Sequence, residues 1–135
     1  MTAARSRLAL LFALAGLTLA LGCRSLVPIA EVHDAPLLTI PDATIDDAAY
    51  AVAIAARSLG WVTDPVSPGV MTATLHLRTH TAVVRIEFDT AKYSIVPVET
   101  QNIKREGDLI HPNYNGWMQN LQRRISSTPI RRRPA

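Results

Sequence analysis

Residues 70–98 read VMTATLHLRTHTAVVRIEFDTAKYSIVPV, and the alternation of apolar and polar side chains in this stretch decides the fold class. Alternation with a period of two is typical of β-strands that cover a core with one face. We therefore predict an antiparallel meander with strands over 70–78, 82–89 and 92–98. The side chains predicted to share the buried face are Ala73, Leu75, Leu77, Val84, Ile86, Phe88, Tyr93 and Ile95.

The pairing of the last two strands depends on the turn between them. If residues 90–91 form a two-residue turn, Phe88 lies opposite Tyr93. The same register places Ile86 opposite Ile95. Neither turn carries the Asn-Gly pair of tight hairpins, so a shifted register stays open. The other face is mostly polar, as expected for an antiparallel sheet covered on one side only. It comprises Thr72, Thr74, His76, Arg78, Thr81, Arg85, Glu87, Lys92 and Ser94, with Val83 and Val96 as exceptions.

Two helices flank the meander. Thr44 and Asp47 form a capping-box pattern at the start of the first, and Gly60 follows its end in the place typical of a C-terminal cap. The second helix is predicted over 113–126, capped by Asn113 or Asn115. Its apolar stripe consists of Tyr114, Trp117, Leu121 and Ile125.

The segments between and around these elements complete the domain plan. Residues 61–63 predict a short strand, 64–69 a turn, and 99–110 a polar loop. Residues 23–41 predict a lipidated tether that contains an edge strand over 27–32, and 128–135 a basic, disordered tail. The core domain then spans 42–127, and its fold class is α+β. We expect a two-layer sandwich in which both helices pack on one face of an antiparallel meander of three to five strands.

The N-terminus has the features of a secretory signal. Arg5 and Arg7 precede an uncharged, Leu- and Ala-rich run over 8–21, and Gly22 and Cys23 close it. This pattern predicts a signal peptide that is cleaved after residue 22. The alternative is an uncleaved helix in the membrane. The run is shorter than the roughly 20 residues that a membrane-spanning helix needs, which favours the cleaved signal.

Residues Ala20-Leu21-Gly22-Cys23 resemble the bacterial lipobox, with Ala20 and Leu21 departing from its commonest form. The resemblance implies a diacylglyceryl group on the Cys23 thiol, cleavage before it, and acylation of the freed amine by a fatty acid such as palmitate. It also implies sorting to the periplasmic face of the outer membrane, because Arg24 and not Asp follows the cysteine. Cys23 is the only cysteine, so an internal disulfide cannot form.

The charge distribution excludes one class of partner. The chain has a net charge of +3, but residues 24–130 carry nine basic and eleven acidic side chains. The positive excess therefore lies at the two ends. A nucleic-acid-binding domain needs basic side chains clustered on its folded body, so we expect no nucleic-acid partner. The tail residues 131–133, all arginine, are candidates for contact with an anionic envelope component or an acidic protein.

No catalytic or metal-binding motif is present in the sequence. His76 and His80 flank a predicted turn, but no third ligand stands at a recognised spacing. Glu87 and Asp89 lie on one face of a strand, where Arg85 and Lys92 are ordinary ion-pair partners. A Gly-x-Ser-x-Gly elbow is missing as well. We expect no enzyme, no metal and no cofactor.

Two groups of residues are candidates for an interaction site. His76, Arg85 and Glu87 share the polar face of the sheet and are the basis of an alternative function, a small-ligand or metal-binding lipoprotein. His111, Asn113 and Tyr114 form the second group, at the start of the second helix. We interpret 111–117 as a structural entrance to that helix, because Pro112 suits a first turn. A polar ligand site is the competing interpretation.

Several segments resemble a family of small uncharacterised proteobacterial lipoproteins. They are 60–61, the strand 73–78 with His80, 93–95, and above all HPNYNGW at 111–117. The resemblance covers most of 45–125 and implies the lipoprotein address and a common fold, but no activity. Residues 92–98 are more apolar than the third strand of that family. The expected function is a non-enzymatic, lipid-anchored module that binds a protein or another envelope component.

Overall fold

The structure is a computed structural model that describes residues 24–135. The predicted signal peptide and the lipid site at Cys23 lie outside the described residues. Two helices and eight strands follow one another within the described range. They are β1 (Val27–Pro28), β2 (Val32–Pro36), α1 (Ile45–Ser58), β3 (Trp61–Ser67), β4 (Val70–Leu77), β5 (His80–Phe88), β6 (Lys92–Gln101), β7 (Arg105–Glu106), β8 (Leu109–Ile110) and α2 (Pro112–Ser127).

The strands form two antiparallel sheets, which confirms the predicted α+β class. The large sheet has the order β2-β6-β5-β4-β3, and a small one has the order β1-β8-β7. Phe88 pairs with Tyr93 and Ile86 with Ile95, so the predicted register of the last hairpin is confirmed. The predicted inner face is buried except for Leu77, which is 43% exposed at the end of β4.

Strand β3 is longer than predicted. The sequence predicts a turn from residue 64, whereas the strand continues through Pro65 to Ser67. An edge strand tolerates proline because one side of its backbone has no partner strand. The turn itself lies at Pro68-Gly69. Gly69 has φ of 78°, and a Cβ there would come within 2.7 Å of the Phe88 carbonyl oxygen, so only glycine fits.

The N-terminal segment is part of the domain and not a free tether. The predicted edge strand over 27–32 divides in two: β1 pairs with β8, and β2 pairs with β6 through Val32 and Ala35. Val32, Ala35 and Leu37 are buried. This pairing is favourable because β2 covers the otherwise open edge of β6.

The C-terminal tail is ordered, which corrects the expectation of a disordered segment over 128–135. Ile130 is fully buried, and its N–H donates to the Leu38 carbonyl at 2.7 Å. Beyond it, the Arg132 guanidinium lies 3.2 Å from the Asp47 carboxylate, and the Arg133 N–H donates to the same carboxylate at 2.8 Å. One apolar side chain and one buried acid that needs partners therefore hold the tail in place.

Helix α1 begins as predicted. The Thr44 hydroxyl accepts from the Asp47 N–H, and the Asp47 carboxylate accepts from the Thr44 N–H, both at 3.1 Å. Gly60 has φ of 87° just beyond the helix end. The buried face is rich in alanine and contacts the sheet and α2. It consists of Asp47, Ala48, Ala51, Val52, Ala55 and Ala56.

Helix α2 begins at Pro112, and its cap differs from the prediction. The cap is His111, whose Nδ1 accepts from the Asn113 N–H at 3.2 Å. The Asn115 side chain instead bonds to the backbone of the N-terminal segment, at Ala30 and Pro28. Ala30 and Pro28 are 85 and 87 residues from Asn115 along the chain, so no local sequence pattern could predict these bonds.

The buried stripe of α2 consists of Tyr114, Met118, Leu121 and Ile125. Met118 takes the place that the sequence assigns to Trp117, which is only half-buried.

A hydrogen bond also joins helix α2 to the large sheet. The Tyr93 hydroxyl donates to the Gln122 carbonyl at 2.9 Å. Burial raises the pKa of Tyr93. The core therefore lies between one face of the large sheet and the two helices.

Candidate binding site

The three candidates on the sheet face do not converge. His76 is opposite Thr81, and its Nδ1 lies 3.1 Å from the Thr81 hydroxyl. Arg85 lies four residues after Thr81 on β5, which corresponds to about 13 Å of strand. There it pairs with Glu87 at 2.8 Å, and both side chains are 49% exposed. An ion pair so exposed contributes at most about 1 kcal/mol.

Metal ligands are not clustered in the described part of the chain. Within residues 24–135, no three His, Cys, Asp or Glu side chains are placed to hold one ion. His80, which the sequence places near His76, bonds to the Asn102 carbonyl instead. His76 and His80 therefore have separate hydrogen-bond partners and do not point to a common metal ion.

The other candidate group leads to a cleft. The start of β5, the segment after β6 and the start of α2 enclose a space of about 320 Å³, which we call the entrance cleft. His111 and Asn113, two residues of the second candidate group, line it. The complete lining is His80, Asn102, Ile103, Lys104, His111, Asn113 and Trp117.

Hydrogen bonds tie the walls of the entrance cleft together. The Asn102 amide donates to the Thr79 carbonyl at 2.7 Å, and the Asn102 carbonyl accepts from His80 Nδ1. On the other wall, the His111 N–H donates to the Lys104 carbonyl at 2.9 Å. Asn102 has φ of 55°, a left-handed conformation that asparagine adopts more readily than most residues. The cleft is therefore preformed by the backbone.

The two histidines of the cleft hold their protons on different nitrogens. A carbonyl can only accept, so His80 Nδ1 carries a proton and neutral His80 has an acceptor at Nε2. A backbone N–H can only donate, so His111 Nδ1 is bare and neutral His111 has a donor at Nε2.

Trp117 forms the aromatic wall of the cleft. Its ring centroid lies 6.2 Å from His80 and 6.5 Å, edge-on, from Tyr114. The indole packs partly against the core and partly lines the cleft. The sequence predicts a core residue here, and the structure gives it a second role at the surface.

Tyr114, the third candidate in this group, is a core residue. Its side chain is fully buried, and burial raises its pKa to about 12, with Arg105 nearby acting in the opposite direction. Among the described residues no group hydrogen-bonds its hydroxyl. Because Tyr114 is fully buried, it belongs to the core and offers no contact at the surface of the cleft.

Arg24 joins the N-terminal segment to the cleft. Its guanidinium donates to the Asn113 side-chain oxygen at 3.3 Å. No pattern in the sequence indicates that Arg24, His80, Asn102 and Lys104 lie close together. The pairing of Thr81 with Gln101 in the β5–β6 hairpin brings the His80 and Asn102 regions together, and the bonds of Asn102 described above hold them there.

A second exposed surface lies at the far end of α2. Tyr50 and Ile54, one turn apart on α1, are 38% and 43% exposed. With Arg124 and Arg131 they border a groove of about 300 Å³. Aromatic, aliphatic and arginine side chains are the types enriched at protein interfaces.

No helix among residues 24–135 has the length and apolar character needed to cross a bilayer. Comparison with protein-family models, with curated proteins and with solved structures found no match.

Proposed function

We propose that this chain is a lipid-anchored protein on the periplasmic face of the outer membrane, and that it binds an envelope component without catalysing a reaction. The entrance cleft is the proposed binding site. The observation that carries the proposal is the bond between Arg24 and Asn113. It places a wall of the cleft beside the residue that directly follows the proposed lipid attachment at Cys23.

The proposed anchor is supported by the sequence of residues 1–23. Each acyl CH₂ that enters a bilayer contributes about 0.8 kcal/mol, and stable anchoring takes more than one chain. The three chains that lipobox processing attaches to Cys23 would meet that requirement. No cofactor is part of the proposal.

The chemistry of the cleft suits a ligand that carries anionic oxygens. Lys104 supplies a cation, His111 a donor at Nε2, and Asn113 an amide. Charge-assisted hydrogen bonds of this kind are shorter and stronger than neutral ones. Binding is favoured over catalysis because His80 and His111 already serve as structural partners of the backbone.

Two other functions have weaker support. A small-ligand or metal site on the polar sheet face would need His76 to approach the Arg85–Glu87 pair, from which it is separated along the strand. A protein partner in the groove beside Tyr50 and Ile54 has a specific observation in its favour, namely the exposed apolar pair bordered by arginines.

Photo-crosslinking in the native envelope separates these three proposals. A photoreactive amino acid replaces Ile103 in the cleft, Thr74 on the sheet face, or Ile54 in the far groove. We expect the Ile103 position to capture an envelope component and the other two to remain largely unlinked. Capture at Thr74 or Ile54 alone would move the binding site to that surface.

The anchor is tested separately. Cys23→Ala should abolish incorporation of a fatty-acid probe and leave an unprocessed precursor, while Ala20→Leu should still mature. If the Cys23→Ala protein takes up the label and matures normally, the lipoprotein proposal is wrong. Membrane fractionation then tests the sorting, for which we expect the outer membrane.

A further inference from the structure

The proposed lipid attachment point and the entrance cleft are joined by a very short path. Consecutive Cα atoms lie about 3.8 Å apart, so Cys23 adjoins Arg24 directly. The Arg24 side chain reaches Asn113 in the cleft wall. Behind it, Asn115 bonds to Pro28 and Ala30 and fixes the N-terminal segment on α2. Lipids on Cys23 would therefore hold the cleft close to the headgroups of the bilayer.

The side chains around the cleft match the composition of a membrane interface. Arg24 and Lys104 are exposed cations, and Trp117 is a half-buried indole that packs partly against the core. Tryptophan and basic side chains concentrate at the level of the lipid headgroups, where the ring is partly apolar and the cations meet phosphate. The nearby acid Glu106 is 3.9 Å from Lys104, and both are about two-thirds exposed, so this pair is too weak to neutralise the lysine.

The other basic cluster is in the wrong place for this contact. Arg124 is eleven residues after Asn113 on α2, which is about 16 Å along the helix axis. Arg131 borders the same distant groove. The groove is therefore separated along α2 from the side chains proposed to meet the bilayer.

We propose that the entrance cleft docks on the bilayer that carries the lipids of Cys23 and binds the phosphate of an anionic glycerophospholipid there. The inference rests on the proposed lipid anchor and adds the ligand and the orientation of the domain. Lys104 and Arg24 pair with the phosphate oxygens, the His111 Nε2–H donates to them, and the Trp117 ring lies beside the glycerol backbone. The lipid anchor supplies attachment, and the cleft fixes which face of the protein meets the membrane.

The two tryptophans allow a direct measurement. The mature lipidated chain is reconstituted through its own anchor into vesicles of phosphatidylcholine alone or of phosphatidylcholine with phosphatidylglycerol. The vesicles contain lipids brominated near the headgroup end of the acyl chains, which quench indoles close by. Trp61 is 3% exposed in the core and acts as an internal reference, and Trp117→Phe leaves only that signal.

We expect quenching of Trp117 in the vesicles with phosphatidylglycerol, and clearly less in phosphatidylcholine alone. Lys104→Glu should lower the quenched fraction about twofold or more, because each basic group near an anionic surface adds to the attraction. Lys104→Gln should have an intermediate effect. Arg131→Glu makes the same change of charge as Lys104→Glu, but at the groove beside Tyr50 and Ile54, and should leave the quenching of Trp117 unchanged. High salt should weaken the effect, since exposed charges are screened.

The outcomes distinguish the docking from the anchor. If the labelled protein floats with the vesicles but Trp117 is not quenched, or is quenched equally in both lipids, the docking proposal is wrong and the anchor stands. If the protein neither carries the fatty-acid label nor floats, both proposals fail. Capture of a protein at the Ile103 crosslinking position, with no lipid captured, would assign the cleft to a protein partner and overturn the inference.

Discussion

The two helices of this domain begin in opposite ways. The first turn of α1 carries Asp46 and Asp47, and the Thr44–Asp47 capping box and the C-terminal tail cover it. The first turn of α2 has no acid, and its cap is a histidine in the wall of an open cleft. Both arrangements satisfy backbone donors that a helix leaves free. The start of α1 is therefore covered by the chain's own tail, whereas the start of α2 borders an open cleft.

Asp47 makes the contact between the C-terminal tail and the start of α1 sensitive to acid. The Arg133 N–H, the Thr44 N–H and the Arg132 guanidinium lower the pKa of Asp47 to about 2, although burial acts against them. The charged carboxylate therefore joins the chain terminus to the helix start more strongly than the protonated acid does. The residues that line the entrance cleft include no carboxylate that could cover the start of α2 in the same way.

The largest effect is expected from releasing the tail. Ile130→Ala removes a fully buried side chain and should lower the free energy of unfolding by about 2–4 kcal/mol. Urea denaturation followed by circular dichroism measures it. The adjacent Arg131→Ala is the control and should change stability by less than about 0.5 kcal/mol. If both changes have equally small effects, the tail does not stabilise the domain through its contact with the start of α1.

Truncation in the open cleft should cost less than truncation in the core. Trp117→Ala should lower the free energy of unfolding by about 1–2 kcal/mol, since the indole is only half-buried. Trp61→Ala, in the core, should cost about 3–5 kcal/mol and serves as the reference. The same denaturation measurement applies. A Trp117→Ala loss that equals the Trp61→Ala loss would place Trp117 in the core, as the helical spacing predicts.

The two caps can be compared directly. Thr44→Ala should cost about 1 kcal/mol, which is usual for removal of a side-chain cap. His111→Ala should cost only about 0.5 kcal/mol, because Pro112 has no N–H to satisfy and a single donor depends on the histidine. Hydrogen exchange at the Asp47 and Asn113 amides reports each cap separately. A larger loss for His111→Ala would show that the start of α2 is also built mainly for stability.

Acid should affect stability only at low pH, because the Asp47 carboxylate is charged throughout the neutral range. The folded pKa is about 2 and the ordinary value is 3.8, so the stabilisation is complete above 3.8 and is lost as the pH falls towards 2. The urea midpoint of the natural protein should approach that of Asp47→Asn within this window. A constant difference between the two proteins down to pH 2 would contradict the role of the charge.

The candidate site was only partly accessible to prediction. His111 and Asn113 stand out as a dense cluster of unusual residues in one short stretch, and they do line the entrance cleft. His76 and Arg85 share a face with Glu87, but sharing a face of a strand sets only direction and not proximity. Lys104 and Arg24 carry no local pattern, because their place depends on the end of β6 and on the packing of the N-terminal segment against α2.

The sequence by itself determined the elements whose signals are local. Alternation in 70–98 specifies strands because successive side chains point to opposite faces. The Phe88–Tyr93 register was predicted only on the condition of a two-residue turn at 90–91, and the structure confirms it. The Thr44–Asp47 pair specifies a helix start because its two hydrogen bonds close within four residues. These features depend on backbone geometry over a few residues.

Only the tertiary structure decided what covers the open edges and joins distant segments. Strand β2 pairs with β6 because a sheet edge leaves backbone donors and acceptors unpaired, and the nearest suitable segment satisfies them. Ile130 fills a space in the core, and Arg24 meets Asn113 across 89 residues of chain. Such contacts are selected by the shape and the unpaired polar groups of the assembled domain, which no short stretch of sequence encodes.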